Sequence, residues 1–79
     1  MSIHPTQPKQ FTAIIEREGD GFVALCSELD VASQGDTIEE ARKNLQEAVE
    51  LFLETADPSE IEDRLHFEIY VTQFALAVG

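Results

Sequence analysis

The chain reads as a small α+β domain of order β-β-β-α-β: a mostly antiparallel sheet with one amphipathic helix packed on one face. Three observations predict this. Short branched and aromatic runs alternate with turn residues up to Gly35. A T-x-x-E pair at Thr37 and Glu40 then opens a stretch whose apolar residues recur every three or four positions. From Leu65 the spacing returns to two.

The elements follow in order. Gln10–Arg17 (QFTAIIER) predicts a strand, and Gly19 and Gly21 supply the backbone freedom for a tight reversal into Phe22–Cys26 (FVALC). The continuous apolar character of the second run places it centrally in the sheet or under cover on both faces. Ser27–Asp30 breaks the run with turn-favouring residues, and Val31–Gly35 is a shorter edge or bent strand. Ile38, Ala41, Leu45, Ala48, Val49, Phe52, Leu53 and Ala56 then line one helical face, which Asp57-Pro58 ends. Residues 58–63 read as an acidic connection with room for one helical turn. Leu65, Phe67, Ile69 and Val71 alternate with polar or aromatic neighbours, and a register slip at Thr72-Gln73 leads to Phe74, Leu76 and Val78, predicting a bent last strand.

At 79 residues the chain supports one domain, here 10–79, preceded by a flexible tail over 1–9, where Pro5 and Pro8 remove backbone donors. A core this small favours oligomerisation, and the apolar strand residues Phe74, Leu76 and Val78 are the expected contacts in a homodimer or higher homo-oligomer. Cys26 stands alone, so no intramolecular disulfide forms. Neither a signal peptide nor a membrane span is present in the pattern, which predicts a cytoplasmic location and no membrane partner.

Charge narrows the function classes further. Sixteen Asp and Glu against five Lys and Arg leave a net charge of −11, which repels phosphate backbones and attracts basic partners. Glu47, Glu50, Glu54 and Asp57 crowd the end of the helix, where the helix dipole disfavours acids, and Glu60, Glu62 and Asp63 extend the cluster. These seven are the candidate partner-binding residues. Glu16, Glu28, Asp30 and Asp36 near strand ends show no metal-ligand spacing. His4 and His66 have no nucleophile beside them in sequence, and Cys26 has no basic neighbour to activate it. No catalytic residue, metal or cofactor is expected.

The stretch Phe11–Glu54 resembles the amino-terminal domain of HicB-type antitoxins. The likeness is carried by Glu16, Gly19–Gly21, Phe22–Cys26, the corner Glu28-Leu29, the helix start Gln34-Gly35-Asp36-Thr37 and the pairs Glu40-Ala41 and Glu47-Ala48. Ser27 replaces the proline usual at that corner. The resemblance implies a partial ribonuclease-H-like sheet. It also implies a protein that binds and silences a small basic mRNA-cleaving HicA-type toxin by masking its RNA-binding or catalytic surface. Many such antitoxins carry a further DNA-binding module, for which the residues after the domain leave no room, so direct DNA binding is not expected. Two other readings stand beside this one: a metal-dependent nucleic-acid hydrolase of ribonuclease-H-like ancestry, and an orphan dimeric scaffold without a surviving toxin.

Overall fold

A computed structural model describes residues 10–65 and 69–79. The elements are β1 (Ala13–Glu18), β2 (Gly21–Cys26), β3 (Val31–Gly35), α1 (Ile38–Thr55) and α2 (Pro58–Leu65). The three strands form one antiparallel sheet in the order β1-β2-β3, so β2 is central. The class is α+β, as the spacing predicts.

Both reversals have local causes. Glu18 pairs with Gly21 across a two-residue turn in which Gly19 takes φ +59°, a conformation open to a residue without Cβ. The longer corner from Ser27 to Asp30 closes when the Asp30 N–H donates to the Cys26 carbonyl at 2.9 Å, with Asp30 at φ 56°. Aspartate tolerates that backbone better than branched residues do. Leu29 lies fully buried in the corner and anchors it to the core.

The helix begins as its cap predicts. The Thr37 hydroxyl accepts the Glu40 N–H at 3.0 Å, and the Glu40 carboxylate reaches back to accept the Asp36 N–H at 3.0 Å. Ala41, Leu45 and Val49 are buried at four-residue spacing and meet Ala24, Cys26 and Leu29 to form the core. Ile38, expected on that face, is half exposed because it sits at the first helical position, beyond the sheet. Asn44 donates to the Gln34 carbonyl at 2.8 Å, which draws α1 toward β3. The helix packs mainly on β3 and β2 and only lightly on β1.

The cross-strand register sets two faces. Cys26, Ala24 and Phe22 share the helix face with Ala13, Ile15 and Arg17 of β1, and Arg17 stacks over the Phe22 ring at 4.7 Å. Ile14, Val23 and Leu25 take the other face and are half-buried. Thus β2 is central, but only its helix face is fully covered.

The later part of the chain departs from expectation. The acidic connection is an eight-residue helix: Pro58 suits a first helical position, Glu60 lies in the first turn and Arg64 in the last. The predicted strand from Leu65 does not form as such, because Leu65 closes α2 and residues 69–79 belong to no strand. Its middle, His66–Glu68, lies outside the described residues, as does the expected tail over 1–9. The physical reason concerns pairing. A strand exists only beside another edge, and within this one chain residues 69–79 have not been laid against one.

Candidate protein-binding surfaces

All seven acids singled out by sequence are solvent-exposed. Glu47, Glu50 and Glu54 lie on the side of α1 opposite its buried Ala41-Leu45-Val49 face, since residues three and four apart share one side of a helix. Asp57 stands at the α1–α2 junction, and Glu60, Glu62 and Asp63 lie on α2. The last turn of α1 contains no basic residue. From Glu47 to Asp63 the backbone therefore presents seven carboxylates and no Lys or Arg.

One of these acids is partly neutralised. Arg64 pairs with Glu60 at 3.1 Å, donates to the Leu29 carbonyl and lies over the Phe52 ring at 4.9 Å. This single side chain ties α2 to the β2–β3 corner and to α1. Its i,i+4 pair with Glu60 is local, but the contact with Leu29 spans 35 positions and had no sequence signal.

Sequence reasoning also missed Leu51. It follows Glu47 by one helical turn, so it shares the acidic side, and it is 60% exposed. The one available clue was that Leu51 falls outside the three-and-four set of the core face. An exposed leucine framed by carboxylates combines an apolar anchor with a charged surround, the arrangement of many protein-binding patches.

The acids near the strand ends do other work. Glu28 accepts the Thr12 N–H at 2.8 Å and the Thr12 hydroxyl at 2.7 Å, and the Cys26 thiol approaches it at 3.6 Å. Burial raises the Glu28 pKa, but the hydrogen bonds from Thr12 outweigh it, and the carboxyl titrates below its ordinary value. Burial pushes the Cys26 thiol upward, and the nearby Glu28 charge adds to this, which keeps the sulfur protonated and a poor nucleophile. Among the described residues no three His, Cys, Asp or Glu are grouped to hold a metal ion. His4 and His66 lie outside those residues. No helix among them is long and apolar enough to cross a membrane.

A second surface lies at the free edge of β1. Because α1 leans toward β3, a groove of about 430 Å³ opens between β1 and the helix, its floor apolar at Phe11, Leu45 and Val49 and its rim polar at Arg42, Gln46 and Glu50. Phe74, Leu76 and Val78, the predicted oligomer contacts, are 83%, 76% and 95% exposed.

Two relatives are similar to this chain in sequence. UPF0150 protein ssr1765 of Synechocystis sp. is 44% identical over 57 residues, covering 70% of this chain and 72% of its own length. The chain belongs to the UPF0150 family. UPF0150 protein ssl0738 of the same organism is 47% identical over 47 residues, covering 57% of this chain and 65% of that protein. No family model matches the UPF0150 chain, and no solved structure does.

Proposed function

We propose that this UPF0150 protein is a HicB-like binding module of the cytoplasm that neutralises a small basic mRNA-cleaving HicA-type toxin by covering its RNA path. The observation that carries the reading is the run of seven exposed carboxylates from Glu47 to Asp63 along α1, the junction and α2, with Glu60 paired to Arg64. Membership of UPF0150, a family known as HicB-like, supports it.

The mechanism is competition by charge and shape. A field of −11 accelerates encounter with a cationic ribonuclease and repels the transcript that competes for the same surface. Leu51 then supplies apolar contact beside Glu47 and Glu54 on α1, where a desolvated side chain contributes more to residence time than a rim charge does. No covalent step is needed.

The test is co-expression with any short basic protein encoded beside this chain. Growth arrest by that protein alone, relief on co-expression and recovery of both chains in one complex are the expected results. Unimpaired growth with the neighbour alone, or arrest that the UPF0150 chain leaves untouched, overturns the reading.

A further inference from the structure

We propose that the notch between the β2–β3 corner and the last turns of α1 is an arginine seat: the chain's own Arg64 fills it and so closes α2 as a strap, and an arginine side chain of a basic partner displaces it. The inference rests on the seat and the strap. Its test uses no toxin, so its failure and that of the function proposed above are distinguishable.

Three groups define the seat, and two of them lie outside α2. The Leu29 carbonyl comes from the corner and the Phe52 ring from α1, while the Glu60 carboxylate is α2's own. The bond that closes the corner runs from the Asp30 N–H to the Cys26 carbonyl, which leaves the Leu29 carbonyl to a donor from elsewhere. Its position is fixed, because the Leu29 side chain is fully buried in the core. A planar guanidinium suits this set, since it donates along its edge and stacks by its face, and the Arg64 group lies 4.9 Å from the centre of the Phe52 ring. A compact, strongly hydrated ammonium does not combine the two.

The strap is fastened lightly. No residue of α2 is buried, and among the described residues Arg64 gives the only hydrogen bond from α2 to the sheet or to α1. A cleft of about 630 Å³ separates α2 from the end of α1, apolar at Leu53, Ile61 and Leu65 and polar at Glu54 and Glu62, so packing between the two helices is incomplete. Eight residues are too few to persist as a helix alone, and α2 therefore depends on its fastening. Ala56 leaves α1 with extended backbone and supplies the hinge before Pro58.

Charge selects an arginine-bearing basic partner. Residues 44–79 contain eight Asp or Glu and a single Lys or Arg, which is Arg64 itself. Glu28, Asp30 and Asp63 line the cleft beside the seat. The Arg64 side chain is 34% exposed, so the seat desolvates much of a guanidinium yet stays within reach of solvent. An incoming arginine thus meets a strongly negative approach and one intramolecular competitor. Its entry releases α2 with Glu60, Glu62 and Asp63, which then follow the partner.

Acetyl-arginine amide, with acetyl-lysine amide as its counterpart, tests the proposal by NMR and amide hydrogen exchange at low salt. For a Kd of about 10 mM at the open seat, 30 mM arginine amide, about three times that Kd, is expected to raise the open population of the native protein about fourfold. The Ile61–Leu65 amides then exchange about four times faster, whereas α1 and the sheet keep their protection and lysine amide has no such effect. Arg64→Ala removes the competitor. In that variant arginine amide is expected to shift the Phe52 ring and the Leu29 and Asp30 amides saturably, at least about tenfold more tightly than in the native protein. Exchange at α2 that ignores arginine amide in the native protein, or that responds equally to lysine amide, overturns the proposal. A folded Arg64→Ala protein that binds arginine amide no more tightly than the native one overturns it too, and the native measurement decides alone if that variant does not fold.

Discussion

The carboxylate of Glu28 accepts both the N–H and the hydroxyl of Thr12, at 2.8 and 2.7 Å, and so fastens the start of β1 to the corner that leaves β2. The two residues are sixteen apart in sequence, and the bond holds the hairpin's open end closed.

Glu28→Gln is expected to lose about 1–2 kcal/mol of stability at pH 7, since a charge-assisted pair of hydrogen bonds is replaced by a neutral one. The sign with pH follows from the lowered carboxyl pKa. The native state binds fewer protons at this site than the unfolded state, so the contribution is complete above the ordinary glutamate value of 4.5 and is lost as pH falls through the folded value. Urea titrations of both proteins check this: their difference shrinks below about pH 4.5, even while protonation of other acids relieves the net −11 charge.

Gly35→Ala is expected to cost about 1–3 kcal/mol through overpacking. A Cβ there would stand 2.5 Å from the Ala41 nitrogen and 2.8 Å from the Glu40 carbonyl carbon, both backbone atoms that move only if the whole start of α1 lifts from β3. A lower urea midpoint, with the far end of the helix intact by hydrogen exchange, is the expected signature.

Cys26 is 1% exposed and its thiol pKa is raised, so a thiol-reactive dye is expected to label the native protein at least about a hundred times more slowly than a free cysteine. Urea should abolish the protection. Because the folded pKa is the higher one, this site's contribution to stability is full below the unfolded cysteine value of 9.0 and is lost as pH rises through the folded value.

Reversing charge on the outer side of α1 separates encounter from grip. Each Glu→Lys change adds two units, so Glu50→Lys with Glu54→Lys brings the net charge from −11 to −7. Association with a HicA-type toxin is expected to slow about tenfold at low salt and to depend less steeply on ionic strength. Leu51→Ser is expected to leave stability within about 0.5 kcal/mol while speeding dissociation. Stopped-flow kinetics and urea titration distinguish the two effects.

Much of the fold was legible because its causes are local. The glycine turn at Gly19, the cap formed by Thr37 and Glu40, and the four-residue spacing of Ala41, Leu45 and Val49 each act within one turn of chain. The acids from Glu47 to Asp63 were readable for the same reason, since exposure on the far side of a helix follows from its period. By contrast, residues 58–63, read as a connection with at most one helical turn, belong to an eight-residue helix. Their helix is held from outside by Arg64, whose contacts with Leu29 and Phe52 no local pattern announces.

Composition and spacing were thus sufficient for the α+β class, the helix with its acidic outer side and the strongly negative field, because short-range sterics and charge set these. The tilt of α1 toward β3, the groove it leaves beside β1, the half-exposed outer face of β2 and the place of residues 69–79 outside the sheet came only with the tertiary structure. Each depends on which edges and faces meet across long stretches of chain, and a strand's partner is a matter of geometry between segments, which no residue carries alone.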